Sequence, residues 1–183
     1  IKDAIAAPHT DGTTNQIYPG TCKKFKPKKQ IQALRLDIKK ATKFCNEDDI
    51  SFYESGITTG NVLKKKSISI TNLCEGFGDF VIVRKDIGTS YNLSVVIDDA
   101  AQSVTHVTRG KDLLNITPVQ VLIQKILNLP TPIYHHHELL YEQSGKKISK
   151  RASHRSVSSL KDNGLSPAQV IELAFNSTFT KLT

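Results

Sequence analysis

The chain has 183 residues, 38% hydrophobic and 23% charged, with 25 Lys and Arg against 17 Asp and Glu and a formal net charge of +8. That length fits one ordinary domain or two small ones and buries roughly 70% of the unfolded surface, and the composition excludes a disordered tail. No apolar run of about 18 residues is present to span a membrane, and no charged-then-apolar leader is visible, so no membrane partner is expected.

The positive balance favours a polyanionic partner, because basic side chains release counterions from phosphates. Cys22, Cys45 and Cys74 are odd in number and widely spaced. They read as reduced thiols of a cytoplasmic protein rather than as a disulfide framework. Methionine is absent, even at position 1. Residue 1 is therefore not expected to be the natural start, and the chain reads as a fragment.

Residues 1–30 are rich in Pro, Gly, Thr and Lys. They predict loop, with at most one short helix over Ile1 to Ala7. Lys23 to Lys29 is a basic run around Phe25, read as a solvated loop in preference to a dedicated RNA contact. Ile31 to Ile38 alternates apolar and polar, the pattern of a half-buried strand. Ile50 to Tyr53 and Ser67 to Ile70 look similar, and Gly56, Gly60 and Asn61 supply turns between them. Residues 1–75 thus read as a small β-rich unit.

Gly78 to Arg84 predicts a buried strand, and Asp86-Ile87-Gly88 a turn. Tyr91 to Ala101 leaves two readings open. Val95-Val96-Ile97 favours a strand, whereas Tyr91, Val95 and Asp98-Asp99 have helical spacing. Val104 to Arg109 predicts a strand. Thr117-Pro118 predicts a helix start, with Thr as cap and Pro in the first turn. Val119, Leu122, Ile123, Ile126 and Leu127 form its apolar stripe, and Pro130 and Pro132 end it. Ile133 to Tyr141 predicts a third strand, and Ser144-Gly145 a turn. Ser166-Pro167 opens a last helix with Val170, Ile171 and Leu173 inward. The alternation after residue 78 predicts the α/β class and part of a parallel sheet.

The chemistry concentrates in two places. Gly145-Lys146-Lys147-Ile148-Ser149-Lys150-Arg151 sets two lysines around an Ile-Ser pair on a glycine-started loop. Such lysines are mobile point charges that can neutralise a polyphosphate as the loop closes. Taken alone, the segment reads as a basic surface turn in preference to a phosphate loop. Its context is Arg84 to Asp99, followed by Val104 to Leu114. His135-His136-His137 cannot all face one ion, because neighbours on a strand point to alternate faces. They lead the strand toward the lysine loop. Asp98 and Asp99 lack metal-ligand spacing and read as structural.

From the Tyr18-Pro19-Gly20-Thr21-Cys22 segment to about residue 175, and most strongly over residues 78–151, the chain resembles the glutamyl-queuosine tRNA(Asp) synthetases. These are short bacterial relatives of glutamyl-tRNA synthetase. The resemblance implies the C-terminal portion of a class I synthetase core of Rossmann type. Residues 1–75 would be an inserted zinc- or acceptor-type unit, 76–151 the second half of the core, and 152–183 a short helical tail. The half bearing the nucleotide-binding His-Ile-Gly-His signature is not among these residues.

Site roles follow from the same resemblance. Lys147 and Lys150 are the catalytic charges on ATP, with Ser149 beside them in the ATP-binding loop. Tyr91 and Arg109 hold the substrate glutamate, which suits the bidentate guanidinium fork and the phenol hydroxyl. Tyr18 and Cys22 match two ligands of a zinc site whose Cys-x-Cys pair is missing. Two protein ligands make a poor site, so no stable zinc is expected here, although the full-length parent could hold one. Magnesium-bound ATP is a substrate, and the partners are glutamate and queuosine-bearing tRNA(Asp). A monomer is expected, inactive as these residues alone. Two alternatives stay open: a fragment of a glutamyl-tRNA synthetase charging tRNA(Glu), and a non-catalytic tRNA-binding derivative.

Overall fold

The computed structural model describes residues 18, 20, 32–45, 48–55, 62–142, 148, 156–175 and 178–179. The helix expected over Ile1 to Ala7, the Lys23 to Lys29 run, the Ser144-Gly145 turn, Cys22, Lys147, Ser149 and Lys150 lie outside the described residues. The chain forms two compact units, one of Ile1–Arg109 with Leu113–His136 and one of Gly110–Asp112 with His137–Thr183.

In the first unit, β1 (Leu34–Leu36) pairs antiparallel with β4 (Phe80–Val83), with a register shift between Leu34 and Arg35. The strand expected over Ile31 to Ile38 is therefore shorter. Asp37 accepts the backbone N–H of Lys40 at 3.1 Å, and Ile38 already opens helix α1 (Ile38–Cys45). An aspartate there satisfies a first-turn donor that a strand would pair elsewhere. Strand β2 (Asp49–Ser55) comes next, and the same device acts at the end of β3 (Leu63–Ser69). Ser69 accepts the N–H of Asn72 at 3.2 Å, so Ile70 starts α2 (Ile70–Phe77) instead of ending a strand.

The turn at Asp86-Ile87-Gly88 forms as expected. Gly88 adopts φ +69° and donates to the Arg84 carbonyl at 3.0 Å, a left-handed conformation that glycine takes without strain. The two readings of Tyr91 to Ala101 resolve to helix α3 (Tyr91–Ala101), capped by Ser90 accepting from Leu93. Strand β5 (His106–Gly110) follows, then a 3₁₀ segment (Lys111–Ile116) and helix α4 (Thr117–Ile126). Thr117 is the first helical residue rather than the cap. Its hydroxyl donates back to the Leu113 carbonyl at 2.9 Å.

A four-stranded sheet runs β3-β2-β6-β5, where β6 is Ile133–His137. The β2–β3 pair is antiparallel, and β2 runs parallel to β6 with Glu54 opposite Tyr134. Strands from residues 49–69 thus share one sheet with the strands near residues 106 and 133. Helix α4 packs against β2, α1 and α3. It is buried all round from Thr117 to Gln124, as a helix inside a core must be. Ile50, Phe52, Leu73, Val96, Leu122 and Tyr134 complete that core.

In the second unit, the strand expected over Ile133 to Tyr141 stops at His137, and Tyr141–Glu142 forms a separate strand β7. It pairs parallel with β8 (Thr178–Phe179). Helices α5 (Val157–Asp162) and α6 (Pro167–Phe175) lie between them in the chain. Val170 and Leu173 of α6 are half-buried, but Ile171 is 56% exposed and does not face inward.

Candidate active site

Arg109 leaves β5 close to the start of α4 and the end of β6. Its Nε donates to His136 Nε2 at 3.0 Å, and one Nη2 hydrogen goes to Thr117 Oγ1 at 2.7 Å. Its guanidinium carbon sits 4.8 Å from the centre of the Tyr134 ring. Three contacts from two other elements fix the plane of the fork. Among the described residues Nη1 donates to nothing, so one edge of the fork stays available to a carboxylate.

Alternation along β6 places Tyr134 and His136 on one face. Their rings stack with centroids 5.9 Å apart. His135 takes the opposite face, where Nδ1 meets the Ser55 carbonyl at 2.7 Å. His137 is exposed. The three histidines thus go separate ways, as adjacency on a strand requires.

Behind His136 stands Glu54 of β2. Its carboxylate lies 2.8 Å from the His136 backbone N and 2.8 Å from Nδ1. Burial pulls the His136 pKa below its ordinary value, against the opposing pull of Glu54. Tyr134 accepts from Gln124 Nε2 at 3.0 Å, and burial raises its phenol pKa.

Tyr91 opens α3 and is 53% exposed, not the core aromatic that an apolar reading would give. It and Arg109 both act electrostatically on Tyr134. Asp99 of α3 has a pKa raised by burial and partly offset by Arg109. It stands as an acidic neighbour of the fork, compatible with a structural role. Nothing in the sequence marks His136, Glu54, Thr117 and Tyr134 as residues around a carboxylate-binding arginine. Only the neighbours of the fork give them that role, and spacing along the chain carries no trace of it.

Of the lysine loop only Ile148 is described; its N–H donates to the Leu140 carbonyl at 2.9 Å. Nearby in the chain, exposed Lys111 and Glu138 pair at 2.5 Å. Tyr18 bridges to Gly78 and carries the Arg35 guanidinium 4.1 Å above its ring. Among the described residues no three His, Cys, Asp or Glu could hold a metal. Cys45 and Cys74 pack against the core, and Cys45 Sγ donates to the Ala41 carbonyl at 3.9 Å. No described helix is long and apolar enough to cross a membrane.

The family of class I tRNA synthetases (E and Q), catalytic domain, matches residues 2–181, and the chain belongs to it. Its α/β fold with a parallel strand pair is that of a class I synthetase catalytic domain. Within the family the resemblance narrows. The Glutamyl-Q tRNA(Asp) synthetase of Rhodobacter capsulatus is 37% identical over 176 residues, which are 94% of this chain and 62% of that protein. That of Symbiobacterium thermophilum is 34% identical over 177 residues, 92% of this chain and 50% of that protein. A Glutamate–tRNA ligase of Desulfitobacterium hafniense is 44% identical over 97 residues, 53% of this chain and 20% of the ligase. The crystal structure of a glutamate-tRNA synthetase from Elizabethkingia anophelis aligns with TM-score 0.42 and 26% identity, over 66% of this chain and 23% of that one. The chain spans 46% to 62% of the length of five Glutamyl-Q relatives that it matches.

Proposed function

We propose that the protein to which these residues belong activates glutamate with ATP and transfers the glutamyl group to the queuosine base of tRNA(Asp). The observation that carries this reading is the Arg109 fork. It is held from behind by His136 and Thr117, and among the described residues its Nη1 edge stays available to a carboxylate. Arg109 grips a carboxylate of the amino acid and Tyr91 orients it. Lys147, Ser149 and Lys150 close on the phosphates of magnesium-bound ATP, and the two lysines stabilise the departing pyrophosphate. No covalent nucleophile is needed, because aligning the reacting carboxylate with the α-phosphate lowers the barrier. The relatives named Glutamyl-Q tRNA(Asp) synthetase support the choice of tRNA.

Residues 1–75 serve as an inserted unit, 76–151 as the second half of the core and 152–183 as its tail. The protein works as a cytoplasmic monomer. These 183 residues alone are inactive, so glutamate-dependent ATP turnover by this chain would contradict the reading. In the longer protein Tyr18 and Cys22 supply two of the zinc ligands.

A second reading, charging of tRNA(Glu), is favoured by the 44% identity to a Glutamate–tRNA ligase. The deciding experiment follows labelled glutamate, with ATP and the longer protein, onto tRNA(Asp) with queuosine, tRNA(Asp) without it, and tRNA(Glu). Label only on the first is the expected result. Label on tRNA(Glu) makes this part of a protein-synthesis enzyme, and none at all leaves a tRNA-binding derivative.

A further inference from the structure

We propose that Glu54 and His136 are positioning residues for Arg109: a carboxylate-imidazole pair that holds the inner edge of the guanidinium so that its outer edge meets the carboxylate of glutamate. The proposal rests on the reading of Arg109 as the glutamate ligand.

The argument starts with proton count. An ionised carboxylate only accepts, and Glu54 Oε2 stands 2.8 Å from His136 Nδ1. The imidazole proton therefore sits on Nδ1, and Nε2 presents a lone pair. That lone pair faces the Nε–H of Arg109 at 3.0 Å. With the other tautomer two N–H groups would point at each other, and the guanidinium would have to turn. Glu54 thus decides whether Arg109 has an acceptor to lean on. It reinforces the choice by accepting the backbone N–H of His136 at 2.8 Å, which fixes the base of the same side chain.

Burial makes the arrangement more than a surface contact. The His136 side chain is 1% exposed and that of Glu54 14%. Taking a carboxylate and an imidazole out of water costs free energy that an apolar pair at the same β2–β6 positions would not. The charged and titratable groups that face His136 are Glu54 from β2, Arg109 from β5, and His135 and the stacked Tyr134 on its own strand; the Thr117 hydroxyl of α4 also reaches Nε2, at 3.2 Å. Asp99 of α3 acts in turn on Arg109. A neutral imidazole between Glu54 and Arg109 keeps the line charge-balanced, and a carboxylate ligand then adds its charge at the far end only.

The same logic holds metal-ligating histidines in orientation through a carboxylate behind them. Here the group being oriented is an arginine fork instead of an ion. Thr117 at 2.7 Å anchors the second nitrogen, so the plane is defined by two points and a ring face.

The test uses the full-length protein in two readouts. Imidazole ¹⁵N spectra at neutral pH, without substrate, should show His136 protonated on Nδ1. Glutamate-dependent exchange of pyrophosphate into ATP should then give KM values for Glu54→Gln, His136→Leu and His136→Gln. Expected is a ten- to hundredfold rise in glutamate KM, of the order that a misplaced binding group produces, for Glu54→Gln and His136→Leu, with the ATP KM unchanged. His136→Gln, whose amide oxygen can replace the Nε2 lone pair, should recover most of it. If His136→Leu does not fold, Glu54→Gln, of the same size, carries the test. A proton on Nε2 in the wild type, an unchanged glutamate KM, or equal rises in the glutamate and ATP KM would each overturn the positioning role. A wild type with no glutamate-dependent exchange overturns the reading of Arg109 itself, and this proposal with it.

Discussion

Helices α4 and α6 begin alike and end up in opposite surroundings. Both begin at a hydroxyl-proline pair, Thr117-Pro118 and Ser166-Pro167, and both carry enough apolar residues for an inward stripe. Yet α4 is buried on every side from Thr117 to Gln124, whereas no residue of α6 is buried. The reason is what each packs against. Helix α4 has β2, α1 and α3 around it; α6 meets α5 and β8. Enclosure changes what the polar residues of α4 do. Gln120 and Gln124 would be the solvent face of an ordinary amphipathic helix. Here Gln120 donates to Asn92 of α3 at 2.6 Å and Gln124 to Tyr134 of β6 at 3.0 Å. A buried polar side chain must find a partner. The ring under the Arg109 fork is thereby tied to the core.

If enclosure is what separates the two helices, truncating α4 should be costly. Leu122 is fully buried, and Leu122→Ala should destabilise by about 2–5 kcal/mol in urea unfolding, from lost transfer free energy and the cavity left behind. A loss below about 1 kcal/mol would show that the core closes over the gap, and the contrast would lose its basis. Tyr134→Phe is a smaller cut at the same place. The ring stays, but Gln124 loses the partner of its Nε2 while its Oε1 already has none among the described residues. The expected cost is about 1–3 kcal/mol, the price of an unsatisfied buried amide.

The contrast also marks how far the sequence could be read. Periodicity located α4, β4 and β5, and the resemblance pointed to Tyr91 and Arg109. What escaped were starts fixed by single side chains. Asp37 and Ser69 each turn an alternating stretch into a helix by accepting one backbone N–H. Alternation is blind to that, because the capping residue fits either pattern. The support of the site was hidden for another reason. Glu54, Arg109, Thr117 and His136 come from four elements and meet only through the β2–β6 register and the position of α4. Ile171 failed for want of a partner: an apolar residue at helical spacing faces inward only if something covers it.

A pH series probes the enclosed region without mutation. Burial holds the folded-state pKa of His136 below its ordinary 6.5. Between that depressed value and 6.5 the unfolded chain binds the proton that the folded one refuses, so stability rises with pH through this window, is lost as the solution is acidified through it, and levels off below it, where both states carry the proton. Chemical denaturation from about pH 5 to about pH 8 should show that slope, and His136→Gln should remove His136's share of it. A wild-type profile unaltered by His136→Gln would mean that the imidazole is not the buried base.

The smallest effect is expected at the other helix. Ile171 is 56% and Phe175 83% exposed on α6. Ile171→Ala removes little buried surface and replaces a β-branched residue with a better helix former. Its effect on stability should stay within about 0.5 kcal/mol, the range of surface changes. Comparing it with Leu122→Ala under the same conditions tests enclosure directly, because both substitutions shorten an aliphatic side chain to alanine on a helix begun by the same kind of pair. A cost for Ile171→Ala approaching that of Leu122→Ala would mean that α6 is covered in solution, and the difference between the helices would then reside in which partner encloses each rather than in whether one does.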